Sequence, residues 1–309
     1  MTDRTQIDHG AYEGLVEAHD DSRWAFGTGF DDPLVGVDTT MPEGVDGAGL
    51  AAYCLMLADD ALVMSQRLAQ WSTCAPELEE EVALANIGLD LLGQARLLLA
   101  RAAAADPSVL PVLPEGSPVP AEDALAFFRD EMAFRNVRLV ELDNGDFAHS
   151  SLRLLVFSTW RLALLGRLRG SRDSVLAAVA AKGVKEVTYH RDYVARWVVT
   201  LAQGTPESRR RTEAALHTVW PYVAELLGTH PVERNLAEAG VAVDPASVRD
   251  ELHGVLAQVF AAAELTPPEG PTASAVTGRA GRDGVHTETM GPLLAEMQAV
   301  ARAHPSGLW

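Results

Sequence analysis

The sequence predicts an all-α protein, a bundle of long antiparallel helices. Three observations carry this. Apolar residues recur at three- and four-residue steps over long windows. No stretch alternates with period two between hairpin turns. Proline and glycine cluster in a few places and leave long uninterrupted segments between them. With 309 residues and 48% hydrophobic residues, a buried core is supplied and wholesale disorder excluded. At about 150 residues per domain, both two domains and one large domain with tails are allowed.

Residues 1–47 read as an acidic, loosely ordered extension. They carry Asp8, Glu13, Glu17, Asp20 and Asp21 among other acids, many glycines and no sustained period, with Trp24, Phe26 and Phe30 as possible anchors. From Gly47 the pattern turns helical, and Leu50, Cys54, Leu57, Met64 and Leu68 mark one apolar stripe. Pro76 suits the start of a second helix, and Glu77, Glu79, Glu80 and Glu81 suit the positive end of its dipole. The run from Val82 to Gln94 is apolar nearly all round, as expected of a helix in the middle of a bundle.

Five prolines between 107 and 120 predict a loop over 106–120. A third helix is expected from Ala121 to Val140. A fourth is expected from an Asp146 N-cap to about Gly170, a fifth from Asp173 to Leu201, a sixth from Pro206 to Leu227 and a seventh from Pro245 to Glu264. Residues 266–285 read as a Gly/Pro linker, after which Thr287 should cap a short helix containing Leu293, Leu294, Met297 and Val300. The organisation is therefore an extension over 1–47, a helical bundle over 48–265, and a linker with a C-terminal helix packed on the bundle over 266–309.

Twenty-five Lys and Arg face 43 Asp and Glu, for a net charge of −18. That argues against a generic binder of nucleic acid or anionic membrane, which needs clustered cations. Cys54 and Cys74 are the only cysteines, so a disulfide scaffold is excluded and free thiols in a reducing cytoplasm are expected; each reads as a small core residue rather than a nucleophile. No basic region followed by an apolar core opens the chain, so no secretory signal is expected. Arg153, Arg161 and Arg167 interrupt the stretch Leu152–Leu168, and no membrane-spanning helix is expected.

A long helical bundle with polar residues inside its helices raises di-iron chemistry. In such bundles two helices each supply Glu and two others Glu-x-x-His, because i and i+3 share a face and reach one metal pair. No pair of helices here carries that motif twice. Glu186 and His190 are four apart and read more simply as an i,i+4 contact. Asp90, four after Asn86 in an apolar helix, requires a partner, and an arginine from another helix is the expected one. No histidine lies between His19 and His149, so the first helix pair cannot supply its imidazole. An irregular di-iron enzyme would have to conscript Asp60, Asn86, Asp90, Gln94, Glu131, Glu141, Glu186 and His190. No Gly-x-Ser-x-Gly, phosphate-binding Gly-Lys-Ser/Thr, Gly-x-Gly-x-x-Gly or Cys-x-x-Cys occurs.

Several strings resemble one family. They are Asp59-Asp60 with Gln66-Arg67, Ala75 to Glu80, and Ala83 to Arg96 with Asn86, Asp90, Gly93 and Gln94. Arg129-Asp130-Glu131, Phe134-Arg135-Asn136, Asn144-Gly145, Lys185-Glu186 with Tyr189-His190, and Gly284 to Glu288 with Leu294 to Gln298 follow in order. Together they resemble the structural (C) subunits of multicomponent phenylacetyl-coenzyme A ring epoxidases, over roughly Gly49 to Trp309. The resemblance implies a ferritin-like fold in phenylacetate catabolism. It implies a non-catalytic role beside a catalytic di-iron sister subunit, which uses O2 and electrons from a reductase, with small accessory subunits further off.

In that sister, Glu-x-x-His falls on Leu91 and Gln94 of this chain, and again on Val187 and His190, so one ligand in four remains. The resemblance thus implies vestigial metal positions at 91, 94, 187 and 190, no catalytic residue, and no cofactor bound by this chain. It also implies a shared edge of the coenzyme A pocket, carried by Phe134, Arg135 and Asn136 on the third helix and by Arg234, Asn235 and Leu236 after the sixth. Arg135 and Arg234 suit phosphates on an otherwise acidic protein. The alternatives are a stand-alone di-iron oxygenase and a helical acyl-coenzyme A binder.

Overall fold

A computed structural model describes residues 36–270, 272–273 and 278–307. The predicted extension over 1–47 lies outside the described residues except for 36–47. Among the described residues there are nine α-helices and no β-strand: α1 Gly47–Ser72, α2 Leu78–Ala105, α3 Ala121–Phe127, α4 Phe147–Leu168, α5 Ser174–Gln203, α6 Pro206–Val219, α7 Pro231–Glu238, α8 Arg249–Ala263 and α9 Met290–Ala303.

The four long helices form two hairpins. α1 packs on α2 across the turn 73–77, and α4 packs on α5 across 169–173. Such short turns make neighbours antiparallel. The hairpins meet along α2 and α5, and the chain crosses between them over 106–146. Two hairpins joined by one long crossover is the ferritin-like arrangement. α6 and α8 pad the outside of α4 and α5, and α9 lies against α3. The stripe Leu50, Cys54, Leu57, Met64 and Leu68 is buried, as are Leu152, Leu155 and Trp160 of α4.

Local chemistry fixes the ends. Asp46, Asp146 and Asp173 accept the amides of Gly49, His149 and Leu176 and cap α1, α4 and α5. Arg101 near the end of α2 is ion-paired with Asp173 at the start of α5, which ties the two hairpins together. Residues before α1 are held too: Arg101 donates to the Thr39 carbonyl at 2.6 Å and Arg172 to that of Glu43 at 3.2 Å.

Several sequence expectations need correction. The third helix stops at Phe127, not Val140, and residues 128–141 form a loop with two 3-10 turns. The buried Arg129 of this loop pairs with Asp59 on α1, and Phe134 is buried beneath its guanidinium, 4.2 Å away. Tertiary pairing overrides helix propensity there. Phe134, Arg135 and Asn136 therefore sit on a loop.

The sixth helix ends at Val219, because Pro221 stops it, and 3-10 turns follow. Residues 231–238 form an additional helix, α7, with a capping box between His230 and Glu233, so Arg234, Asn235 and Leu236 are helical. Thr287 does not cap α9, whose N-cap is Thr289; its amide and hydroxyl serve Glu141 instead. Cys54 is in the core, but Cys74 is exposed.

The stretch after Gly278 is not a passive linker. Arg282 enters the bundle between α1 and α7, and Gly281 passes so close to the 136 backbone that a Cβ would stand 2.0 Å from the Asn136 oxygen. Glycine is required by that approach.

α1 and α2 are each long and apolar enough to cross a membrane by length and composition, contrary to the expectation from the sequence. The most apolar window of α1 is 78% buried, so its side chains form core; that of α2 is 44% buried.

Candidate functional site

The centre of the four long helices is where a ferritin-like protein does chemistry, and here it is built around cations from arginine. Arg161 on α4 is fully buried. Its Nε donates to Gln94 Oε1 on α2 at 2.9 Å and its Nη1 to the Leu57 carbonyl on α1 at 3.2 Å, while its Nη2 has no hydrogen-bond partner. Gln94 Nε2 donates in turn to Glu186 on α5 at 2.9 Å, and Lys182 pairs with the same carboxylate at 3.0 Å. Burial pushes the Arg161 guanidinium down to about 10, while the carboxylates of Asp60 and Glu186 pull the other way.

Beside it, Arg282 from the C-terminal segment is ion-paired to Asp60 of α1. Nη1 and Nη2 lie 3.0 and 2.9 Å from the two carboxylate oxygens, and Nη1 also donates to the carbonyls of Met56 and Arg135. Glu233 of α7 stands 3.8 Å from its Nε. Burial raises Asp60 above the usual carboxylate range, although Arg282 opposes this.

The four positions that the resemblance marks for metal lie on α2 and α5, which pack on each other, and carry the wrong chemistry for iron. Leu91 and Val187 are fully buried and offer no donor. Gln94 is engaged by Arg161 and Glu186. His190 is buried, and its Nε2 meets Asp90 at 2.9 Å. Asp90 thus has a histidine partner instead of the expected arginine, and Glu186 turns to Gln94 instead of to His190.

The other candidate donors are tied elsewhere or point away. Asp60 belongs to Arg282, Asn86 and Glu131 are exposed, and Glu141 is buried against the C-terminal segment. Among the described residues no group of three or more His, Cys, Asp or Glu is placed to share an ion. A bridged pair of iron ions asks for four carboxylates and two imidazoles around one space; this centre presents two apolar side chains, a carboxamide and a guanidinium. The donor set does not fit a di-iron group.

The paired Arg282 and the unpaired Arg161 predict different responses to removal. Arg161→Met removes a buried cation that has no carboxylate in contact, so the desolvation recovered offsets the loss of a donor at Gln94 Oε1 and the Leu57 carbonyl. Arg161→Met is expected to unfold within about 1 kcal/mol of the parent, and at least about 2 kcal/mol above the corresponding Arg282 variant, in chemical denaturation.

The residues assigned to a coenzyme A edge divide into two groups. Phe134, Asn136 and Leu236 are buried, with Asn136 Nδ2 donating to Glu141 at 2.8 Å. Arg135 is half-buried, its Nη1 donating to the carbonyls of Met132 and Phe134 at 2.7 and 2.9 Å. Burial holds its guanidinium below the ordinary value. Arg234 and Asn235 are exposed on α7. Sequence reasoning gave Arg282 no part and did not foresee the partners of Arg129 and Arg161, each distant in sequence.

The fold and its centre define a ferritin-like helical protein whose interior is held by arginine ion pairs and hydrogen bonds. Residues 36–309 match the family described as "Phenylacetic acid catabolic protein", and the chain belongs to that family. The match takes in residues 36–48, ahead of where the sequence resemblance begins. The chain is 43% identical over 261 residues to the C subunit of the 1,2-phenylacetyl-CoA epoxidase of Escherichia coli (strain K12), covering 84% of this chain and 99% of that protein.

Proposed function

We propose that this chain is the non-catalytic structural subunit of a phenylacetyl-CoA epoxidase assembly in the cytoplasm, supporting a catalytic sister that carries the di-iron centre. The observation that carries the reading is the bundle centre. Leu91 and Val187 are fully buried and apolar at the positions where the resemblance puts the sister's carboxylates, and Arg161 donates to Gln94 where it puts an imidazole. The same helices that would hold metal in the sister hold each other here. The likeness to the Escherichia coli epoxidase protein supports the assignment.

The reading predicts activity only in the assembly. The purified chain, given O2, phenylacetyl-CoA and a reductase system, should consume no substrate; adding the di-iron sister should restore epoxidation. O2-dependent turnover by the chain alone would overturn the proposal.

Within it, Arg135, Arg234 and Asn235 serve the rim of the coenzyme A pocket, with Phe134, Asn136 and Leu236 as the buried support behind them. Calorimetry on the lone chain should then detect no micromolar phenylacetyl-CoA binding, whereas a tight isotherm would favour an acyl-coenzyme A binder.

A further inference from the structure

A cleft of about 400 Å³ runs along the later turns of α5, lined by Tyr189, Asp192, Tyr193, Arg196, Trp197 and Thr200. These residues recur at three- and four-residue steps and form one stripe of the helix. The volume lies in the range of small-molecule sites, which pair apolar and aromatic walls with a few polar groups. Aromatic residues are only 6% of the chain, yet they are half of this lining. None of the six belongs to the bundle centre or to the positions assigned to the coenzyme A edge.

The aromatic walls are held in place. Tyr189 stacks on Tyr193 with ring centres 6.3 Å apart and planes 22° from parallel. Trp197 is braced by Phe147 of α4, edge-to-face at 5.1 Å. Tyr189 is 56% exposed, which leaves its ring open to a ligand. A planar ring laid on such a wall takes apolar surface out of water and gains a stacked pair.

The charges at the cleft are committed except for one. Asp192 is taken by Arg191, whose Nη2 stands 2.9 Å from its carboxylate. Burial, with the Glu80 carboxylate of α2 adding to it, raises the Tyr193 hydroxyl above the usual tyrosine range, so it stays protonated. Arg196 is exposed, and its guanidinium is in no ion pair among the described residues. The uncommitted charge is therefore a single cation, on a protein of net charge −18. It stands one residue from Trp197 and three from Tyr193, within about 5 Å along the helix axis. A guanidinium that close to a ring wall suits a flat ring that carries a carboxylate. A cationic ring would meet Arg196 as like charge, and an aliphatic acid would leave the walls without a stacking partner.

We infer that this cleft binds a small aromatic carboxylate, its ring against Tyr189, Tyr193 and Trp197 and its acid group on Arg196. The site does not depend on the subunit role.

The test is a titration of the full-length chain with benzoate, read by saturation-transfer NMR at fixed ionic strength. Benzoate should bind saturably. Benzamide keeps the ring and loses the charge, and cyclohexanecarboxylate keeps the charge and loses the aromatic face; each should bind at least about tenfold more weakly. Arg196→Gln should weaken benzoate about tenfold and leave benzamide unchanged, and Arg196→Lys should recover part of the loss. Tyr189→Ser should weaken benzoate and benzamide alike, by about fivefold. Both side chains are exposed, so the thermal melts of these variants should match wild type. Benzoate that does not saturate below about 10 mM, or that binds Arg196→Gln and Tyr189→Ser as tightly as wild type, would overturn the site. Benzamide or cyclohexanecarboxylate bound as tightly as benzoate would overturn the ligand class.

Discussion

Arg282→Ala should destabilise the chain by about 3–5 kcal/mol, the cost of breaking a buried ion pair by removing one partner. Asp60 is fully buried, and Glu233 is almost so. Both lean on this guanidinium, and the carbonyls of Met56 and Arg135 lose a donor at the same time. At roughly 2–4 °C per kcal/mol for a domain of this size, the melting temperature should fall by about 6–20 °C.

The pH dependence has a definite sign. Burial already raises Asp60 above the ordinary carboxylate range, and losing Arg282 raises it further. A carboxyl that is harder to ionise in the folded state favours folding at low pH, and that contribution is lost as pH rises through the folded value. The variant should therefore lie closer to wild type at pH 5 than at pH 8. Asp60→Asn in the Arg282→Ala background should recover part of the loss, because the uncompensated charge is gone. A denaturation series over pH checks both points; an Arg282→Ala melt equal to wild type at pH 8 would show that the pair does not hold the C-terminal segment.

Glu141→Ala is the second large effect expected, about 3 kcal/mol or more, from the donors left without an acceptor in a buried place. This carboxylate accepts from Asn136 Nδ2 at 2.8 Å, from the Thr287 amide and hydroxyl at 2.6 and 2.7 Å, and meets His286 Nδ1 at 2.7 Å. It is the clasp that joins the crossover loop to the segment leading into α9. Limited proteolysis should accordingly cut between residues 278 and 290 in Glu141→Ala and spare wild type.

The clasp also titrates. Burial alone would lower His286, but the hydrogen bond and charge of Glu141 more than offset it and leave the imidazole raised above 6.5. A raised histidine stabilises the fold fully below its unfolded value, and that stability is lost as pH rises through the folded value. Protection of the Thr287 amide against hydrogen exchange, corrected for intrinsic rate, should fall between pH 6 and pH 9. Protection that is flat over this range would mean that His286 and Glu141 are not coupled.

The helices are legible in the sequence where local signals decide them. Asp146 and Asp173 announce the starts of α4 and α5, and the stripe Leu50–Leu68 announces the buried face of α1. The sequence misleads where distant residues decide. Residues 128–141 have helical composition, but Arg129 is drawn to Asp59 and Asn136 to Glu141, and no local pattern encodes those pairings. Pro221 is a local signal that does mark the end of α6, and it outweighs the apolar periodicity that continues beyond it. The helix α2 reads as central because it is apolar nearly all round, yet Leu78, Val82, Leu89 and Leu92 along one side of it are exposed.

At the bundle centre, the apolar residues at 91 and 187 are plain in the chain. The hydrogen bond from Arg161 to Gln94 is not, because an arginine in α4 does not declare which helix it faces. Asp90 needs a partner on sequence grounds alone, and that partner is His190 because α2 and α5 run side by side at that level.

Metal content tests the central claim most directly. The chain and the di-iron sister are purified together from iron-replete cells, separated, and each assayed for iron by elemental analysis. The account predicts that the iron follows the sister and that this chain retains only sub-stoichiometric traces, unaffected by His190→Ala. About two iron ions per molecule of this chain, lost on His190→Ala, would contradict it.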